Sequence, residues 1–323
     1  MKMPICGRIK LYSIALLLFA SAQVGAQDSK AIRVVSASGT GSSTDLVTRT
    51  VAAGMSKALK RPVVVESMPG ASGAIAGRFV ARSGADGNTL LATQTTNVFG
   101  ELFMKDIGYD IRKDLAPVSL MAETRLYLLT NTNVPWKSMN ELVAFARANP
   151  GKLNQGLTSP SEFVALFSAM VRLKYDVNIV DVYYKAGSPA FLQALRVKEI
   201  QLAYIVHPQV VAAHRDKYAN PLATSGRQRS PAFPDVPTFA ELGLPEITGI
   251  EFMMFGVAGT PGPTIERLNL SIVEALQDPE TMSRFENLNV QVVASGPEAL
   301  AQALAAQFSQ YRIVAQKIGI QPQ

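Results

Sequence analysis

Ile32-Arg33-Val34-Val35, then Gly39-Thr40-Gly41-Ser42-Ser43-Thr44-Asp45, then apolar residues at Val47, Val51, Met55 and Ala58 form the stretch that decides the fold. An apolar strand enters a turn of small residues, and the turn enters a pattern close to the 3.6-residue helical period. The chain is thereby delivered onto a helix N-terminus. There the first-turn N–H groups lack intrahelical partners and the macrodipole places partial positive charge, so main chain alone can hold a carboxylate or phosphate.

Other uses of such a turn are testable on the residues. A Walker A loop needs a lysine before its terminal Ser/Thr, and no lysine occurs between Lys30 and Lys57. A dinucleotide fingerprint needs a third glycine at position 44, which is Thr44. Two readings remain open: an anion site, or a plain turn in which Ser43 or Thr44 caps the helix.

Upstream, Lys2, Arg8 and Lys10 precede the apolar run from Leu11 to Ala22, and Val24-Gly25-Ala26 supplies small residues before Gln27. The run is too short to span a bilayer, and the pattern predicts a secretory signal peptide over residues 1–26, cut between Ala26 and Gln27. Cys6, the only cysteine, lies in the charged leader, so the mature chain is expected to be soluble and free of disulfides. Loss of the three leader cations takes the formal charge from +6 to +3. That is too mild and too scattered to suggest nucleic acid.

Downstream, Pro62 to Glu66 reads as a buried parallel-type strand, followed by a second small-residue loop through Ala71, Ser72 and Gly73. A short helix with Ile75, Phe79 and Val80 leads to a strand at Thr89 to Ala92, which opens into Thr93, Gln94, Thr95 and Thr96. Alternating strands and helices predict an α/β fold with a mainly parallel sheet, whose ligands sit beyond the carboxyl ends of the strands. Capping-box spacing predicts helices after Ser138-x-x-Glu141, Thr238-x-x-Glu241 and Ser295-x-x-Glu298. Leu300, Leu304, Phe308, Tyr311 and Ala315 form one stripe on the last helix, which reads as core.

Several phrases together resemble the Bug family, the periplasmic solute-binding proteins of tripartite tricarboxylate transport systems. They are Ile32-Arg33-Val34-Val35 with Thr44-Asp45, Pro62-Val63-Val64-Val65-Glu66, Pro69-Gly70-Ala71-x-Gly73, Tyr109-Asp110-x-x-Lys113-Asp114-Leu115-Ala116-Pro117-Val118 and Ala148-Asn149-Pro150-Gly151-Lys152-Leu153. Tyr184-Lys185-x-Gly187, the run Arg229 to Thr238, and Gly259-Thr260-Pro261 continue the resemblance over nearly the whole mature chain. It implies a two-lobed type II periplasmic-binding-protein fold with a hinge of two crossing strands, expected at Leu126 to Thr130 and Phe252 to Ala258. Lobe I would comprise 27–127 and 252–323, and lobe II 128–251.

The same resemblance implies a monomeric periplasmic receptor with no cofactor, no metal and no catalysis. It would grip a small carboxylate through loop main chain and hydroxyls and hand it to membrane permease subunits. The implied ligand residues in lobe I are Ser38, Gly39, Thr40, Gly41, Ser42, Ser43, Ala71, Ser72, Gly73, Thr93, Gln94, Thr95 and Thr96. In lobe II they are Thr158, Ser159, Ser161, Glu162, Tyr183, Lys185, Tyr204 and His207. His207 and His214, the only histidines, have no cysteine or ordered carboxylate spacing for a metal. No nucleophile elbow or mature cysteine argues for an enzyme.

The chain departs from the family at two loops, having Ala37-Ser38-Gly39-Thr40 in place of an aromatic-proline segment and the short Gly156 to Glu162 in place of a longer Gly/Ser-rich loop. Changed ligand class, toward an amino acid or cationic solute, or a role in sensing with a membrane partner, is therefore the alternative reading. Glu162 separates these. In Ser159-Pro160-Ser161-Glu162 it fits a capping box with proline at the first helical position, whereas facing the cleft it would favour a cation-bearing ligand. With the capping role, Glu162→Gln leaves the preference between anionic and zwitterionic ligands unchanged in calorimetry; a shift of preference toward anions reveals a cleft carboxylate.

Overall fold

Two sheets carry the chain in the computed structural model, which describes residues 30–159, 163–184, 187–206 and 209–322. The expected signal peptide 1–26 and the residues Ser161, Glu162, Lys185 and His207 lie outside the described residues. The chain opens with β1 (Ile32–Ser36), α1 (Ser43–Leu59), β2 (Val63–Ser67), α2 (Ala74–Ala81) and β3 (Thr89–Gln94). β1 pairs in parallel with both β2 and β3, as right-handed βαβ units require. β4 (Leu115–Thr124) then leads through Arg125 into β5 (Leu126–Asn131).

The second sheet follows: α3 (Met139–Ala148), β6 (Leu153–Leu157), α4 (Phe163–Tyr175), β7 (Ile179–Tyr183), α5 (Ser188–Arg196), β8 (Leu202–Val206), α6 (Gln209–Arg215) and β9 (Ala219–Thr224). The chain returns to the first sheet as β10 (Ile250–Val257), α7 (Gly262–Gln277), α8 (Pro279–Leu288), β11 (Gln291–Val292) and α9 (Pro297–Lys317). Strand orders are β11-β4-β10-β3-β1-β2 and β7-β6-β8-β5-β9. The two sheets thus make two α/β lobes, with parallel strands β1 to β3 in one and β6 to β8 in the other.

The lobes are joined at two places. One is Arg125, the single residue between β4 and β5, and the other is the connection from Ser225 to Gly249. Leu126 to Thr130 and Phe252 to Ala258, expected to cross, instead each lie within one sheet, because β5 pairs with β8 and β9 while β10 pairs with β3 and β4. The crossings therefore sit just before both strands. Ser225 N–H donates to Leu126 O at 2.7 Å and Leu126 N–H to Ser225 Oγ at 2.8 Å, so the two connections are bonded to each other.

Local sequence signals had mixed outcomes. α1 buries Val47, Val51 and Met55 completely, as its periodicity predicts. Its cap is Ser42, whose side chain accepts from Asp45 N–H, and not Ser43 or Thr44, because the helix starts one residue earlier than expected. β2 is an edge strand with Val64 54% exposed, not a buried one, since the sheet order leaves it one neighbour. Ser138 caps α3 by accepting from Glu141 N–H. Thr238 and Glu241 form the reciprocal capping pair at 2.7 and 3.0 Å, yet only turns follow, ending at Gly243. Ser295 does not cap α9, because its hydroxyl accepts from Leu120 N–H of β4.

The expected stripe of α9 is core: Leu300, Leu304, Phe308, Tyr311 and Ala315 are all buried. Phe308 and Tyr311 meet Phe99 of the first lobe at 4.4 and 4.8 Å between ring centroids, and Tyr311 meets Phe163 of α4 at 5.1 Å. Such edge-on aromatic pairs add about 0.5–1.5 kcal/mol each beyond their buried area. α9 thereby ties both lobes to one aromatic nest. On the opposite face of the first sheet, α1 crosses α7 at Gly54, where an added Cβ would stand 2.4 Å from Ala275 Cβ and 2.8 Å from its Cα. Backbone cannot yield as a side-chain tip can, so Gly54→Val should lower stability by about 3 kcal/mol in chemical denaturation. A loss below about 0.5 kcal/mol would show that the two helices can separate freely.

Candidate functional site

Parallel strands end together, so the loops after β1, β2 and β3 gather at one rim, and those after β6, β7 and β8 at the rim of the other lobe. Asp45 organises the first rim. Its carboxylate accepts from Gly41 N–H at 2.9 Å, from the Ser67 hydroxyl at 2.9 Å and from Arg49 Nε at 2.9 Å. Thr40 in turn donates to Ser67 at 3.2 Å, which stitches the loop after β1 to the end of β2. Burial alone would raise the Asp45 carboxyl, but Arg49, Gly41 and Ser67 together hold it below the ordinary carboxylate range.

This hub decides which donors the helix N-terminus presents. Asp45 N–H is taken by Ser42 Oγ, Leu46 N–H by Ser42 O, Ser42 N–H by Gly39 O, and Gly41 N–H by Asp45 itself. The Ser43 and Thr44 N–H groups are the first-turn donors without a partner among the described residues. Ser43 is exposed, and a Cβ at Gly39 or Gly41 would meet nothing within 4 Å, so the space in front of the turn is open. Gly41 needs its residue type for a different reason, a φ of +81°.

The second loop is backbone under strain. Gly70, Ala71, Ser72 and Gly73 all have positive φ, at 123°, 46°, 49° and 83°. Two successive non-glycine residues in the left-handed region cost roughly 1–2 kcal/mol each, and such strain concentrates at binding sites. The turn is exposed at Ala71 and Ser72, while Gly73 lies so close to Asn97 that a Cβ would stand 2.6 Å from its amide nitrogen. Beside it runs a chain of side-chain bonds, Thr44 to Gln94 at 3.0 Å, Gln94 to Thr96 at 3.1 Å and Thr96 to Asn97 at 3.2 Å.

Three expected ligand residues are placed elsewhere. Thr95 is fully buried, accepting from Glu251 N–H at 2.8 Å, so its hydroxyl fastens the loop to β10 and has no surface for a ligand. Thr93 lies buried within β3. Tyr204, also buried, stacks near Phe239 at 6.3 Å, and burial pushes its phenol far above the ordinary range. Each was an expectation carried by the resemblance; strand alternation turns Thr93 and Tyr204 inward, and Thr95, at the start of the helical turn Thr95–Val98, is held inward by its bond to β10.

On the second rim, Thr158 and Ser159 end β6 half-buried and Tyr183 stands exposed at the end of β7. Its neighbour Tyr184 turns the other way, edge-on to Phe191, with its hydroxyl donating to Glu199 at 2.7 Å. Ser38, Gly39, Thr40, Gly41, Ser42, Ser43, Ala71, Ser72, Gly73, Gln94 and Thr96 are brought to one rim, and Thr158, Ser159 and Tyr183 to the other. Among the described residues there is no group of three or more His, Cys, Asp or Glu side chains arranged to hold a metal ion. No helix of those residues is long and apolar enough to cross a membrane.

Two α/β lobes joined by two crossings, each with small-residue loops at the carboxyl ends of its parallel strands, have the architecture of a two-lobed solute-binding protein. Comparison with known proteins bears this out. The model of the tripartite tricarboxylate transporter family receptor, TctC, matches residues 47–320. Protein BugT of Bordetella pertussis strain Tohama I is 31% identical over 283 residues, covering 86% of each chain. Among solved structures, MatC from Rhodopseudomonas palustris with bound malate superposes at a TM-score of 0.64 with 28% identity, over 88% of this chain and 99% of MatC. An R. palustris protein with adipate does so at 0.67 with 25% identity, over 91% and 99%. A TctC solute-binding protein from Polaromonas without ligand, 20% identical, shares the fold at 0.80 over 90% and 99%. The chain belongs to the tripartite tricarboxylate transporter receptor family, whose members are periplasmic solute-binding proteins.

Asp45 was visible in the sequence only as half of a family phrase. The signal that could have revealed its role is the spacing Gly41, Ser42, Asp45, Arg49: a cap, an acid three residues on, and a cation four beyond that. Asp45→Asn removes the Arg49 pairing and half-empties the hub. It should cost about 1–3 kcal/mol at neutral pH by thermal melting. Because the folded carboxyl titrates below its ordinary range, this contribution is present above that range and lost as pH falls through the folded value, so wild type and variant should converge in acid. Equal stability at neutral pH would remove Asp45 from its place as the hub.

Proposed function

We propose that this protein, exported to the periplasm by its leader, captures a small dicarboxylate between its lobes and passes it to the membrane permease subunits of a tripartite transporter. The observation that carries the reading is the pair of open rim features in the first lobe. One is the α1 N-terminus, with Ser43 and Thr44 N–H groups still to be satisfied, and the other is the left-handed turn 70–73 beside it. Both offer main-chain donors to an anion without a titrating side chain. The malate and adipate bound by the two R. palustris proteins support a dicarboxylate.

In this reading Ser38 to Ser43, Ala71 to Gly73, Gln94 and Thr96 hold one end of the ligand. Thr158, Ser159 and Tyr183 then close on the other end. With the crossings at Arg125 and before β10, lobe I comprises about 27–124 and 250–323, lobe II the residues between, and the receptor acts as a monomer. Solute capture needs differential affinity for the closed arrangement, not chemistry, so the ligand leaves unchanged.

The test is thermal melting of the chain from residue 27 with malate, adipate, tricarboxylates, aromatic acids, amino acids and amines. A ligand at about 100 times its Kd adds roughly 2.7 kcal/mol, enough for a shift of several degrees. The expected result is a shift confined to acids and much reduced in Ser43→Pro, which removes one of the two N–H donors at a helical position that suits proline. Shifts given only by amines or amino acids would overturn the dicarboxylate assignment.

A further inference from the structure

At the hinge, Glu251 opens β10 directly opposite Glu123 near the end of β4, in an antiparallel ladder that places both carboxyls side by side. Like charges in directly opposed positions repel. Both residues are buried, at 5% and 6% exposure, against a cavity of about 310 Å³ shared with Arg227, Glu246, Thr248 and Gln307. Gln307, on α9, donates its amide N–H to Glu251 Oε2 at 3.1 Å, while its own Oε1 is buried with no partner among the described residues.

A lone buried amide oxygen is costly, and the missing donor is easily identified. A neutral carboxyl has one O–H, and an acid facing an amide closes a two-bond ring: amide N–H to acid carbonyl, acid O–H to amide oxygen. Protonation of Glu251 would satisfy Gln307 and remove the repulsion from Glu123 in one step. We infer that Glu251 and Gln307 form a proton-operated latch, in which the neutral acid pins α9 to the hinge strand and ionisation releases it.

The surroundings agree. Burial pushes the Glu251 carboxyl up to about 7, with the Gln307 amide opposing the rise and Glu123 adding to it. Thr248 and Arg227 act against the rise. Burial also raises Glu123, against the charges of Arg125 and Arg227. From α9, Tyr311 presents a hydroxyl that donates to Glu246 O at 2.5 Å, so it is already committed. The latch touches the rim directly, since Thr95, in the loop after β3, is bonded to the backbone of Glu251. Its effect on capture rests on the solute-receptor reading above, whereas its effect on stability does not.

The folded Glu251 value lies above the ordinary glutamate 4.5, so the folded protein holds this proton more tightly than the unfolded chain. Stability should therefore fall as pH rises from about 4.5 to about 7. Glu251→Gln replaces the acid by an amide that makes the same two-bond ring without titrating. Its melting temperature should fall less over that window, keeping only the share that Glu123 contributes, and equal that of the wild type at the acid end. In calorimetry, wild-type Kd for malate should differ at least about threefold between about pH 6 and pH 8, with the variant keeping the pH 6 value at both. The same pH slope of melting in variant and wild type would overturn the latch. Absence of malate and adipate binding at any pH, with the melting difference intact, would overturn the capture reading alone. Should the variant not fold, carbon-detected titration of glutamate carboxyls in the wild type decides: one near neutral pH supports the latch, and none above about pH 5.5 refutes it.

Discussion

Arg125 is the single residue at which the first sheet becomes the second, and its guanidinium holds the two crossings together. Its Nη1 donates to Ser225 O at 2.8 Å and to Gln228 O at 2.6 Å, both in the returning connection. A Cβ at Gly226 would stand 2.4 Å from that nitrogen, and Gly226 has a φ of +105°, so the residue type there is fixed twice over. Nη1 is satisfied by these two carbonyls while Nε is buried without a partner among the described residues, so the buried cation depends on both segments staying in place. The two crossings are thus fastened to each other at one point.

From that point the rims follow. β4 and β10 end beside it, Glu251 leaves it, and Thr95 is bonded to Glu251. The loop after β3 is therefore fastened to the hinge strand, while the loop after β1 is held separately by Asp45. Two mechanical linkages meet at Thr44 and Gln94, which bridge them at 3.0 Å.

Much of this was legible from short-range pattern. The helix of Val47, Val51 and Met55, the stripe of α9 and the Ser138 cap each depend on spacing within a few residues, and spacing is printed in the sequence. The family phrases carried the two-lobed class as well. Capping signals failed where a distant group competed: Ser295 looks like a cap but its hydroxyl serves β4, from which it is separated by some 175 residues. Thr238 and Glu241 made their reciprocal bonds and still gave only turns, because a cap ends a helix but does not supply the buried face that sustains one.

What the sequence alone determined is local and periodic: which segments are strands, where small residues must turn the chain, and the absence of nucleotide or metal motifs. Tertiary structure decided which side chains those segments spend. Thr93, Thr95 and Tyr204 stand in the stretches that form the rims yet face inward, because the alternation of β3 and β8 and the bond from β10 to Thr95 are set by partners far along the chain. Asp45 and Gln307 gain their roles only when residues 22 and 56 positions away in sequence come within hydrogen-bonding distance, and Glu251 when Glu123, 128 positions away, is set opposite it in the ladder. A sequence records the acid; only folding supplies the amide, the opposing charge and the dry surroundings that make a carboxyl hold its proton.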